Sequence, residues 1–299
     1  MGSSIYTLVR IGLLALLCMP SIAVGVTVGL VVESQSQQAV SFHAQLKKLS
    51  PDHTIALYSI DNLPKAEDKG IHTWMAMGPK ALAVLLGRTN GSDRILGLFV
   101  KEKAKTKLKK LYPNKQFSIL ENRPTLDRQM ALIKVLNPQA KKVAIYHSTQ
   151  YPELPKSLKA MAKALNLSLE ISELKDPLNW DRNALKALKD ADLVLGLDDG
   201  AIYNATTIRS ILMRLYRASR PLIGPDKGYV RAGAVASTFS GVKETLKAIV
   251  DLLGQQGEWP AVIYNPYFSV SINTQVARSL NITVGNPEQV KEEVKGYLP

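Results

Sequence analysis

The sequence predicts an α/β protein built as two doubly wound parallel-sheet lobes. Short, near-continuous apolar runs alternate with amphipathic helical stretches along the chain, the pattern of parallel strands buried on both faces between crossover helices. Ten such runs fall into two sets of five. The length also suits two lobes, each with a core of its own.

Residues 1–23 read as a secretory signal peptide. Arg10 gives a short positive start, Ile11 to Met19 an apolar core, and Ser21-Ile22-Ala23 the small residues of a cleavage site. The alternative is a membrane anchor, because apolar and small residues continue to Val32. Pro20 and Ser21 interrupt that run, and the part after Gly25 is accounted for as a strand. Cleavage near Ala23 takes away 23 of 299 residues and Arg10 as the one charge, leaving 276 residues and a formal charge of +12 in place of +13. Cys18 is the sole cysteine and lies in the removed segment; Leu17 before it disfavours lipid attachment. An exported chain without thiols suits a bacterial periplasm.

The first set of strands is expected at Val26–Val32, Thr54–Ile60, Thr73–Met77, Ile95–Val100 and Gln116–Leu120. A polar-rich helix follows the first strand from about Gln37 to Leu49, and Gly78-Pro79 opens one carrying Leu82, Leu85 and Leu86. A helix over Leu126–Leu136 is stopped by Asn137-Pro138. The second set is expected at Val143–Tyr146, Leu167–Ile171, Leu193–Leu197, Leu222–Ile223 and Ala234–Thr238. The helices between them carry the stripes Leu154, Leu158, Met161, Leu165 and Ile208, Ile211, Leu212, Leu215. Ser240 is expected to cap the helix of Val242, Leu246, Ile249, Val250 and Leu253, with Gly254 ending it. Asn286-Pro287-x-Gln289 has the residues of a last helix start.

The basic balance resembles a nucleic-acid signal, but export removes that partner. Much of the excess sits at Lys101, Lys103, Lys105, Lys107, Lys109, Lys110 and Lys115, where Ala104, Leu108, Leu111 and Tyr112 keep helical spacing. The lysines are then the solvated sides of an amphipathic helix, with a weak attraction to an anionic membrane surface as the functional alternative. No phosphate-binding glycine–lysine loop, zinc-protease pair, serine elbow or dinucleotide fingerprint is present. His43, His53, His72 and His147 lack metal-ligand spacing. The chain therefore reads as a non-enzyme without cofactor or metal.

Ligands of doubly wound folds bind at the carboxyl ends of strands. The loops there offer Ser34, Gly78, Pro79, His147, Ser148, Asp198, Asp199, Tyr203 and Asp226 as candidate binding residues, together with Lys101-Glu102. Asp198-Asp199 is an acidic pair that either meets a cation or ligand ammonium or caps the helix after it. His147 either donates to a ligand carboxylate or fills a polar loop. Ser148 and Thr149 supply hydroxyls or cap a helix near Glu153, and Tyr203 stacks on a ligand or packs into the core.

From Ile202 onward the motifs are more specific. They are Tyr203-Asn204 before a helix, Arg220-Pro221-Leu222-Ile223-Gly224, Tyr229-Val230-x-Ala232-Gly233-Ala234-Val235-Ala236-Ser237, and the run from Tyr267-Phe268-Ser269 through Asn273-x-Gln275 to Leu280. With Leu126-Asp127-Arg128-Gln129 and Leu132-Ile133, they resemble the ABC transporter substrate-binding protein family typified by tryptophan- and aromatic-amino-acid-binding members. The resemblance extends over about residues 120–284 and is weaker over 26–120. It implies a type I periplasmic binding protein fold whose chain crosses between lobes near Arg123, Gly233 and Val262. The N-terminal lobe would hold residues 24–122 plus 234–262, and the C-terminal lobe 123–233 plus 263–299. It further implies a periplasmic monomer that captures a small organic ligand, an amino acid or similar zwitterion, for an ABC permease and ATPase on separate chains. An exported ligand sensor or accessory protein of an envelope complex is the alternative. The chain departs from the family in having only 12 residues between Ile60 and Thr73, in place of a full helix.

Overall fold

A computed structural model describes residues 27–64, 70–89 and 92–298. The expected signal peptide, residues 1–23, and most of the short segment after Leu63 lie outside these residues. The elements of the first half are β1 (Thr27–Val32), α1 (Gln37–Leu49), β2 (Thr54–Ser59), β3 (Thr73–Met77), α2 (Pro79–Arg88), β4 (Arg94–Leu98), α3 (Glu102–Leu111) and β5 (Ser118–Glu121). Next come α4 (Leu126–Leu136), β6 (Lys142–His147), α5 (Lys156–Ala164), β7 (Ser168–Glu173), α6 (Arg182–Asp190), β8 (Leu193–Leu195), α7 (Ile208–Arg217) and β9 (Leu222–Ile223). The chain ends with α8 (Lys227–Ala232), β10 (Ala236–Phe239), α9 (Val242–Leu253), β11 (Val262–Tyr264), β12 (Ser269–Ile272), α10 (Thr274–Ser279) and α11 (Pro287–Gly296).

Two six-stranded sheets result. The first has the order β11-β5-β4-β3-β1-β2 and is parallel throughout; the second has the order β12-β10-β9-β8-β6-β7, with only β12 antiparallel to its neighbour. Helices cover both faces of the central strands of each, which is why those strands are apolar without alternation, whereas the edge strands β7 and β12 alternate polar and apolar residues. In β1, Val28, Leu30 and Val32 pack with Phe42 and Leu46 of α1 and Leu246 and Ile249 of α9, while Val31 meets Trp74 and the leucines of α2 on the other face. In the second sheet Val143 and Ile145 face α4 and α5, and Ala144 and Tyr146 face α6 and α7.

The chain passes between the sheets three times, after Glu121, after Phe239 and after Tyr264. The second passage was expected near Gly233. Because β10 pairs with β9 and β12, residues 234–239 belong with the second sheet, and the return begins only before α9, which packs on α1. Likewise β11 pairs with β5, so the third passage follows Tyr264 rather than Val262. The strands β11 and β12 were not among the ten expected. Both are short edge strands, β11 of three residues and β12 with serines alternating with its apolar residues.

Three local expectations are also corrected. Gly241, not Ser240, is the residue before α9: Glu244 accepts from the Gly241 N–H at 2.9 Å, while the Ser240 hydroxyl donates to the Tyr267 carbonyl at 2.7 Å. No side chain caps α5, so neither Ser148 nor Thr149 plays that part. Leu111 of the lysine-rich α3 is 59% exposed and does not join Leu108 in the core. At α11 the expected start holds, with Asn286 accepting from the Gln289 N–H at 2.9 Å and Pro287 in the first turn.

Candidate functional site

Strand ends from both sheets wall one cavity of about 790 Å³. The first sheet contributes Glu102 after β4, Glu121 at the end of β5 and Tyr264 at the end of β11. The second contributes Ser148 and Tyr151 after β6, Asp198 and Asp199 after β8, and Pro225 after β9. A smaller hollow of about 440 Å³ is lined by Phe99, Lys101, Asp226, Lys227 and Phe239. Both share Glu102, Glu121, Arg123 and Asp198, so the side chains around Arg123 stand at the boundary between them.

Arg123 lies on the first passage between sheets and bonds to both sides. Its guanidinium donates to Glu121 at 2.6 Å and Glu102 at 2.9 Å, and across to Asp198 at 3.2 Å; its N–H also reaches Glu121 at 3.0 Å. Burial disfavours the charge on Arg123, but the hydrogen bond and charge of Glu121, then those of Asp198, outweigh it and raise its pKa. Glu102 also pairs with Lys105 at 2.5 Å. Burial would raise the Glu102 pKa, yet the bonds and charges of Lys105 and Arg123 hold it below its ordinary value.

The two adjacent aspartates have different surroundings. Asp199 is 5% exposed and accepts from the Ser148 N–H at 2.6 Å, the Ser148 hydroxyl at 3.2 Å and the Ala201 N–H at 3.0 Å. It joins the loops after β6 and β8 through both of its oxygens. Asp198 is exposed and, among the described residues, bonds only through Oδ2, to Arg123.

The remaining expected residues divide in the same way. Tyr203 is buried in the core beside Tyr229, whose hydroxyl donates to the Tyr203 carbonyl at 2.6 Å, so it does not stack on a ligand. Asp226 caps α8 by accepting from the Gly228 N–H at 2.5 Å and lines only the smaller hollow. His147 contacts the Ser148 carbonyl at 3.0 Å and lines neither cavity. Ser34, Gly78 and Pro79 also lie outside both, where the Glu33–Lys80 ion pair ties the loop after β1 to the first turn of α2. Gly78 is needed there for its backbone: its φ of +89° begins α2, and its N–H donates to the Leu98 carbonyl at 2.8 Å.

Sequence reasoning missed Arg123 as a site residue, along with Glu121, Asp127, Tyr151 and Tyr264. Arg123 stood in the sequence only as a passage between lobes, and nothing local shows that three carboxylates converge on it.

Two mostly parallel sheets with helices on both faces and three connecting passages make this a type I periplasmic binding protein fold. A substrate-binding protein with adhesive properties from Clostridium difficile, in its ligand-free open form, is similar at 13% identity with a TM-score of 0.62, over 87% of this chain and 96% of that one. A conserved domain protein from Vibrio cholerae is similar at 16% identity with a TM-score of 0.50, over 90% of this chain and 98% of that one. No protein-family model and no curated protein sequence matches the chain.

Proposed function

We propose that the protein is an exported solute-binding protein that takes up a small organic molecule between its two lobes and presents it to an ABC permease, with the ATPase on another chain. The observation that carries this reading is the cavity of about 790 Å³ walled by strand ends of both sheets at the passages between them. A ligand there touches both walls, and a closed state gains contacts that an open state lacks; only such differential binding shifts the population. Asp198 is the acidic residue best placed to receive a ligand ammonium, since one of its oxygens accepts no hydrogen bond among the described residues. Asp199 supports the loop beneath it.

A thermal-shift screen against amino acids, amines, purines, sugars and small carboxylates tests the proposal. It should use protein recovered from the periplasm, whose intact mass should begin near Val24. A ligand at 100 times its dissociation constant stabilises by about 2.7 kcal/mol, which is readily seen. Silence across the screen would remove solute capture as the function.

A further inference from the structure

We infer that the larger cavity selects an organic cation, an amine or quaternary ammonium compound, rather than an amino acid or a carboxylate; the inference rests on the solute-binding reading above. Charge is segregated in this molecule. The whole chain carries a formal +13, yet the described lining of the cavity contains Glu102, Glu121, Asp127, Glu153, Asp198 and Asp199 against Lys105 and Arg123.

Those two cations are already committed. Lys105 pairs with Glu102 at 2.5 Å, and Arg123 is shared among Glu121, Glu102 and Asp198. Glu121 is 6% exposed and depends on Arg123, because a buried carboxylate without a partner is costly. A ligand carboxylate entering the cavity would have to displace Asp198 from Arg123 Nη1, because Nη2 is held by Glu121 and Glu102, and would meet the remaining negative charge, the released Asp198 included. An entering cation faces neither obstacle: the free oxygen of Asp198 and the Asp127 carboxylate in the first turn of α4 are exposed to the same space.

The aromatic residues make the second argument. Tyr264, at the end of β11, is 60% exposed, and Tyr151 stands on the loop after β6 in the other half of the molecule. The two line the cavity from different lobes, Tyr151 also packing against the core of the second sheet. Negative ring faces beside carboxylates are the chemistry that recognises ammonium groups. Burial, followed by the charge of Asp198, raises the Tyr151 pKa, so its hydroxyl stays protonated. The lysines that would receive an anion, Lys101 and Lys227, line the smaller hollow instead.

Calorimetric titration of the purified protein with choline, spermidine and agmatine, and in parallel with benzoate, L-glutamate and glucose, decides the matter. At least one cation should bind and the two anions should not. Asp198→Asn should weaken that binding roughly tenfold or more, the loss of a charge-assisted bond, and Tyr264→Ala about two- to fivefold, the loss of an exposed cation–π contact. Tyr264 is exposed, so the second variant should fold normally. Binding of benzoate, glutamate or glucose without any cation would overturn the inference while leaving solute capture intact. Cation binding unchanged in both variants would place the cation elsewhere and overturn it as well. If none of the six binds, the inference fails, and the wider thermal-shift screen alone decides whether solute capture fails with it.

Discussion

At Asp199 both carboxylate oxygens are spent on the protein, whereas at Asp198 one is open to the cleft. Sequence alone presented the two as an equivalent pair, because it shows a strand end but not which of two successive side chains turns inward. The same limit applied to Tyr203, whose ring turns into the core before α7. Conversion to Asn separates the two aspartates. Asp199→Asn puts an amide donor where Ser148 and Ala201 donate, so it should lower stability by about 1.5–3 kcal/mol, as expected for a buried bond to a charged group. Asp198→Asn removes only an exposed ion pair, and such pairs are worth about 0–1 kcal/mol. Its melting temperature should stay near that of the parent while ligand affinity falls. Thermal melts of both variants check this, and an equal loss in both would mean that Asp198 is also structural.

Long helices and buried strands were both legible, the strands β3 and β9 at their observed bounds. The expected bounds of α1 and α4 coincide with those observed, because an amphipathic stripe between a cap and a stop is a long signal. A three- or four-residue strand such as β11 or β12 carries no comparable period; it becomes a strand only because a neighbour supplies partners. Close contacts between elements are hidden in the same way. Gly29 of β1 lies beside Trp74 of β3, and the indole, fully buried, covers the place where a Cβ would stand at 2.2 Å. Glycine in this strand is thus explained by a neighbouring side chain rather than by a turn. Gly29→Ala must push Trp74 from its site or bend β1, a form of overpacking that costs about 1–3 kcal/mol. Chemical denaturation should show that loss with an unchanged m-value, and shifted tryptophan fluorescence should accompany it. An alanine variant as stable as the parent would mean that Trp74 has another rotamer available.

Across the whole molecule the three passages are bonded to one another. Asn265 on the third donates to Asn122 on the first at 2.8 Å and accepts from Arg128 at 2.6 Å, and Ser240 on the second donates to the Tyr267 carbonyl on the third. The lobes are therefore joined through a small strap at one side, and the Arg123–Asp198 pair reaches across it between carboxylates of the first sheet and a loop of the second. Arg123 itself is a poor place to probe this arrangement, since its loss would leave Glu121 buried without a partner. Asp198 is exposed, and its pair with Arg123 is weak enough to exchange for a ligand. If a ligand draws both walls together, small-angle scattering should show a smaller radius of gyration at saturation, and Asp198→Asn should require more ligand to reach the same compaction. The strap permits this as a rotation because its bonds join the passages to one another near the pivot, away from the far edges of the sheets. A scattering profile unchanged at saturation would instead mean that the bonded passages brace the lobes, and that the ligand enters a cleft already at its final width.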